Sequence, residues 1–201
     1  RLVEEPPTLE FLLPYNQSLD ELRTWLSFFK LQRLQVLEYL YPNPNAAEKL
    51  ALAIERLHLS PELYSLIVDD ALVAEINTDV LEFRRKSGLD DHETEQLVAL
   101  KFWNNELRIE HVKDIGDIQK FSMVFKTTLP DWQPKIHRLI RLWKATGWSL
   151  VELDTIFQTF DITKDTLNEA AILKLADFKQ LQTLLGFEVE VLVGILKGLQ
   201  P

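Results

Sequence analysis

The residues of this chain that could bind a metal or transfer protons are few, and their spacing does not assemble a site. His92 and Glu93 match the start of H-E-x-x-H, a zinc-binding motif, but Gln96 stands where the second histidine is needed. The histidines lack a second ligand at helical spacing, so we expect ordinary surface or partly buried residues. They are His58, His92, His111 and His137. No P-loop, G-x-G-x-x-G or G-x-S-x-G motif is present, and the sequence predicts no catalytic residue, metal or cofactor.

Acidic pairs, tryptophans and one basic row are the remaining candidates for chemistry. Adjacent residues on a helix point in different directions, which favours helix caps or solvated ends for Asp69-Asp70 and Asp90-Asp91. Five tryptophans could stack on carbohydrate, but apolar stripes hold at least three of them, which favours core packing. They are Trp25, Trp103, Trp132, Trp143 and Trp148. The basic row, spaced three apart, is expected to cover a solvated or ion-paired helix face: Lys135, Arg138, Arg141 and Lys144.

Charge and cysteine content exclude several classes of protein. The 201 residues carry 31 Asp and Glu against 22 Lys and Arg, a net charge of -9, whereas a nucleic-acid-binding surface needs clustered cations. The absence of cysteine excludes disulfides, Cys-ligated zinc and a thiol nucleophile. No apolar run is long enough to span a bilayer, and no secretory signal pattern opens the chain. An apolar helix pattern runs up to Gly198, so we expect a piece of a longer protein.

Short helices joined by tight turns are predicted for most of the chain. Residues 1–17 are proline-rich and are predicted to form an extended lead-in, and residues 18–201 an α-helical domain. Ser18 and Thr163 are expected to begin two of its helices. A large apolar residue followed by a polar cap recurs at Leu59-Ser60, Leu89-Asp90, Trp148-Ser149 and Phe187-Glu188. The fold class predicted is an all-α bundle of about ten short helices with one small β insertion.

The insertion covers about residues 104–126, where the helical pattern stops. Apolar residues precede and follow a turn signal at residues 114–117, and Phe121, Met123 and Phe125 alternate after it. We expect a short β-hairpin or an extended segment. An isolated hairpin is marginally stable in water, so it must lie on the helices or pair with another part of the protein.

The clearest local signal is a helix corner at residues 147–153. Gly147 permits a tight turn, and Ser149 with Glu152 matches a capping box. Trp148 and Leu153 flank the box as a hydrophobic staple. We expect these five residues to have a structural role.

The same corner lies in a longer phrase, residues 138–154, that resembles a phrase of the A subunits of bacterial insecticidal toxin complexes (Tc toxins) and related virulence-plasmid A proteins. The family phrase reads approximately R-F-I-R-L-x-[RK]-x-x-G-W-[ST]-x-x-E-L-D, and Leu139 replaces its usual Phe. Residues 19–37, 57–62 and 173–190 resemble further family segments in the same order, so the resemblance covers most of residues 14–197.

The resemblance implies a fragment of the α-helical shell of a very large, secreted or cell-surface toxin subunit. Family members form homopentamers in which the shell encloses a translocation channel, and shell opening, often driven by pH, admits the channel to a host membrane. Their partners are toxin B and C type subunits and a host receptor, which other domains bind. The matched phrases belong to the shell, so no catalytic residue is implied.

Three other functions are weighed against this one. The chain could be a receptor- or glycan-binding module that presents residues 104–126, because exposed loops often carry recognition. It could be a hydrolase whose histidines and carboxylates converge from distant segments. It could also be a free-standing helical adaptor.

Overall fold

A computed structural model of the chain describes residues 13–69, 79–113, 121–129 and 132–198. Within these residues the fold is all-α with one small two-stranded sheet, which confirms the predicted class and the count of about ten helices. The helices are α1 (Gln17–Phe28), α2 (Arg33–Leu40), α3 (Ala46–Arg56), α4 (Pro61–Val68), α5 (Val80–Ser87), α6 (Asp91–Ala99), α7 (Trp132–Thr146), α8 (Leu150–Thr159), α9 (Glu169–Leu185) and α10 (Val189–Gly198). A short 3₁₀ helix, Lys101–Trp103, follows α6.

Side-chain caps begin several helices at the positions that the sequence predicts. The Ser60 hydroxyl oxygen accepts a hydrogen bond from the Leu63 amide at 3.1 Å, and Pro61 takes the first helical position, where no amide donor is needed. Asp90 and Ser149 each form a capping box with a glutamate three residues later. The apolar residues before these three caps are buried: Leu59, Leu89 and Trp148.

Two predicted helix starts are wrong. α1 begins at Gln17 with Asn16 as its cap, so Ser18 lies inside the helix. α9 begins after Asn168, while Thr163 lies in a turn that precedes the helix. In both cases an asparagine near the predicted residue accepts the first-turn amide, which asparagine does at least as well as serine or threonine. The predicted lead-in falls mostly outside the described residues, which begin at residue 13.

The β-hairpin is confirmed as part of the packed body. Strands β1 (Leu107–Lys113) and β2 (Phe121–Thr127) pair antiparallel, with Ile109 opposite Phe125. The predicted turn at 114–117 lies outside the described residues. β1 packs on α6 and β2 on α5, and the Phe125 ring meets the Phe83 ring edge-on with centroids 4.9 Å apart. The helices therefore supply the partner surface that an isolated hairpin lacks.

One continuous hydrophobic core joins α3 to α10 and the hairpin. α7 is its centre: Ile136, Leu139, Ile140 and Leu142 are all fully buried. α3 packs on α9, α4 on α7, and α8 on both α6 and α10. By contrast, Leu19 is the single buried residue of α1, and α2 has none.

Candidate functional site

The predicted corner forms as expected between α7 and α8. Gly147 has φ +73° with nothing within 4 Å of where a Cβ would stand, so the backbone conformation, rather than space, requires glycine. The Ser149 hydroxyl oxygen accepts from the Glu152 amide at 3.2 Å, and a Glu152 carboxylate oxygen accepts from the Ser149 amide at 2.7 Å. Leu153 and Trp148 are both buried.

Trp148 also fastens the corner to α9, a contact that the sequence does not predict. Its indole Nε1 donates a hydrogen bond to the Gln182 side-chain oxygen at 2.9 Å. The Lys179 ammonium lies 4.8 Å from the centroid of the Trp148 ring, and the Phe178 ring approaches it edge-on. The same ammonium donates to the Thr146 carbonyl at 3.2 Å. Two hydrogen bonds, a cation–π contact and a ring contact therefore hold the α7–α8 corner against α9.

Asp154, the last residue of the family-like phrase, holds the 3₁₀ helix in place. Its buried carboxylate accepts hydrogen bonds from the Lys101 amide at 3.1 Å and the Phe102 amide at 2.9 Å. The Gln158 side-chain amide donates to it at 2.7 Å. Because its carboxylate oxygens accept these hydrogen bonds, Asp154 connects α8 to the 3₁₀ helix and has a structural role.

The basic row of α7 is predicted to be solvated or ion-paired, and the solvated alternative is wrong for its two arginines, because Arg138 and Arg141 are buried. The Arg138 guanidinium donates to the carbonyl of Ile67 near the end of α4 and to the carbonyl of Leu167 before α9. The last carbonyls of a helix lack a partner within it, which applies to Ile67, and a guanidinium can bind two acceptors at once. The lysines of the row also bind other elements: Lys135 contacts Asp165 (2.6 Å) and Lys144 contacts the Ser87 carbonyl (2.9 Å).

His137 differs from the surface or partly buried histidine that we predict, because it is only 1% exposed. Burial lowers the pKa of its imidazole from 6.5 to about 4, and the adjacent Arg141 guanidinium adds to the lowering. His92 lies on the exposed side of α6, with its ring 3.1 Å from the Gln96 amide nitrogen. In the described part of the chain, no three His, Cys, Asp or Glu residues come together as a metal site.

The predicted acidic pairs are structural where the structure describes them. Asp90 caps α6, and Asp91 pairs with Arg84. Asp69 is the residue that follows α4, and Asp70 lies outside the described residues. Asp90 and Asp91, the pair that the structure describes in full, are held by structural partners and are not arranged as an acid and a base.

Exposed large apolar side chains form two groups, besides single residues such as Leu81, Val112 and Val151. Trp25 is 66% exposed, so the expectation of core packing is wrong for this tryptophan, whereas Trp103, Trp132 and Trp148 are buried. We call the first group the exposed aromatic set: Tyr15, Trp25, Phe28, Phe29 and Tyr39. The second group lies at the end of α9 and on α10: Leu184, Leu185, Phe187, Val191 and Ile195. Exposed apolar groups on this scale are typical of surfaces that other protein covers.

Between these two groups lies a groove of about 620 Å³, lined by residues of α1, α2, α3 and α9. At its base, the buried carboxylate of Glu55 accepts hydrogen bonds from Arg23 Nε at 3.1 Å and from a terminal nitrogen of Arg23 at 2.9 Å. A terminal nitrogen of Arg33 donates to the same carboxylate at 2.5 Å. This triad joins α1, α2 and α3 largely through charge.

The described helices all fall short of the combined length and apolarity that a membrane crossing needs. Comparison with protein-family models, with curated proteins and with solved structures gives no match to this chain. The resemblance to Tc toxin A subunits therefore stays a prediction, which rests on the phrases quoted above.

Proposed function

We propose that the chain is a structural, non-catalytic segment of the helical shell of a Tc-type toxin A subunit, secreted or displayed at the cell surface. The observation that carries the proposal is the exposed aromatic set beside a fully packed core. Exposed apolar groups of this size mark surfaces that other protein covers. Neighbouring parts of the subunit, or a second protomer of the homopentamer, would supply that cover.

The size of the exposed aromatic set supports this assignment. With about 200 Å² for each ring side chain, the exposures of its five members correspond to roughly 700 Å² of accessible surface. A stable protein interface buries about 800 Å² on each partner. The exposed aromatic set alone is thus close to the size of one interface.

The way the elements are joined supports a mechanical role. Trp148, Asp154 and Arg138 each connect two or three elements through buried polar or aromatic contacts. The hydrogen bonds of these three side chains are made within the fold. An arrangement of this kind resists deformation, which a shell must do until it is triggered to open.

A receptor- or glycan-binding module of the same toxin is the second candidate, favoured by the exposure of Trp25. An exposed indole can stack on a sugar ring. The hypothesis that residues 104–126 bind the receptor or glycan has less support, because Leu107 and Phe125 of the hairpin are buried in the core. Attachment of the labelled chain to host cells, compared with Trp25→Ala, tests this candidate; unchanged attachment would reject Trp25 as the contact.

Imaging of the full-length gene product tests the shell assignment. We expect a bell-shaped, five-fold particle for the wild type and loss of assembly for the double variant Trp25→Glu, Phe28→Glu. Both side chains are mostly exposed, so the isolated chain should keep its melting temperature.

The matched control is Leu81→Glu, which changes an exposed apolar residue of α5 in the same way. It should assemble like the wild type if the exposed aromatic set is the surface that matters. A small monomer for the wild-type product would overturn the shell assignment. Normal assembly of the double variant would show that the exposed aromatic set is not an assembly interface.

A further inference from the structure

The groove between α2 and α9 has walls of a kind that bind a peptide. α3 packs against both α2 and α9, and Glu55 and Arg56 of α3 line the space between them. Leu31, just before α2, is 45% exposed and Leu184 of α9 is 73% exposed, and both line the groove. A volume of about 620 Å³ lies within the range of ligand clefts and would take the side chains of one helix face.

The charge of the groove is opposite to that of the whole chain. Four cations line it (Arg23, Arg33, Arg56 and Lys179) against two carboxylates (Glu38 and Glu55), which leaves two positive charges in a chain of net charge -9. Glu55 pairs with two of the arginines, and Glu38 pairs with Arg56 at 3.0 Å. Arg56 also pairs with Asp177 at 3.9 Å, so cations outnumber carboxylates at the groove by one when this carboxylate is included.

His58 also lines the groove, and its pKa is lowered. Burial lowers the pKa of its imidazole, and the positive charges of Arg23 and Lys179 lower it further, against the opposite effect of Glu55. Arg23 and Lys179 therefore oppose a further positive charge at this imidazole.

We propose that this groove binds an acidic amphipathic peptide segment of another protein, with its carboxylates towards the arginines and its apolar side chains on Leu31 and Leu184. Electrostatic complementarity sets the choice of partner, and the apolar walls supply contact area. The proposal rests on the groove alone and is independent of the shell assignment.

Fluorescence anisotropy with a labelled helical probe peptide of about 14 residues, Leu at every third or fourth position and Glu elsewhere, tests this site. The matched peptide carries Lys in place of Glu. We expect saturable binding of the Glu peptide with Kd of about 10–100 µM, and at least ~10-fold weaker binding of the Lys peptide. Raising the salt concentration should weaken the Glu peptide's binding.

Two groove variants and one control variant locate the binding. Leu184→Glu should weaken it at least ~10-fold, whereas Val151→Glu, at a 53% exposed site on α8 outside the groove, should change it less than ~2-fold. Arg33→Gln should weaken binding and flatten its salt dependence, with Arg23 still paired to Glu55. Equal binding of both peptides, no binding of the Glu peptide, or an unaffected Leu184→Glu would overturn the proposal. Since these measurements use the 201-residue chain, their failure leaves the particle imaging untouched.

Discussion

At the scale of single residues, buried polar side chains connect the elements of the fold. Arg138 donates to carbonyls on two elements, and Asp154 accepts two backbone amides. A buried polar group left without a partner costs about 1–3 kcal/mol. Each of these side chains therefore fixes the relative position of the elements it connects.

His137 makes the stability of the fold depend on pH. Its native pKa of about 4 lies below the ordinary value of 6.5, so on acidification the unfolded chain takes up the proton first. Its contribution is complete above pH 6.5 and is lost as the pH falls from there towards 4. In His137→Gln, the loss of unfolding free energy between pH 7 and pH 4.5 should be smaller by about 2–3 kcal/mol.

Urea denaturation at the two pH values measures this difference. His92→Gln is the matched control, since His92 is exposed on α6, and it should follow the wild type. Parallel pH profiles for wild type and His137→Gln would show that this imidazole does not cause the pH dependence of the unfolding free energy.

At the scale of elements, corners decide how helices meet. The α7–α8 corner combines a left-handed glycine, a capping box and an aromatic anchor on α9. The first two are local in sequence, and the sequence predicts them correctly. The anchor joins residues 34 positions apart, and no local pattern identifies Gln182 as its partner.

Trp148→Ala should lower the free energy of unfolding by about 3–5 kcal/mol, because it removes a buried ring and leaves Gln182 without its donor. Trp25→Ala makes the same chemical change at an exposed site and should cost less than about 0.5 kcal/mol. Chemical denaturation of both variants checks the pair. Similar losses in the two would contradict the burial that the structure assigns to each ring.

At the scale of the whole molecule, α1 and α2 contribute no residue to the continuous hydrophobic core of the described chain. Their polar contacts with the rest of the chain include the Glu55 triad, the Glu38–Arg56 ion pair at 3.0 Å and a hydrogen bond from the Asn16 side-chain amide to Glu62 at 2.9 Å. Ion pairs that are partly solvated contribute little compared with buried apolar surface. We infer that this helix pair is the least stable part of the described chain.

Hydrogen exchange of the native chain tests this inference. Amides of α1 and α2 should open with free energies at least about 2 kcal/mol below those of α7 and α8. Glu55→Gln should lower the protection of α1 and α2 further while α8 stays unchanged, so that α8 serves as the internal control. Equal protection across all four helices would contradict the prediction.

The sequence by itself determined the local features: the fold class, the hairpin, and caps such as Ser60, Asp90 and Ser149. The caps depend on hydrogen bonds between residues three apart, and the fold class and the hairpin follow from helical and alternating apolar periodicity, all of which local spacing specifies. Only the tertiary structure decided which stripes are buried. The apolar stripe of α1 leaves Trp25 in solvent, whereas the basic row of α7 is drawn into the core around Arg138. Burial depends on what distant segments pack against a helix, and periodicity carries no information about that partner.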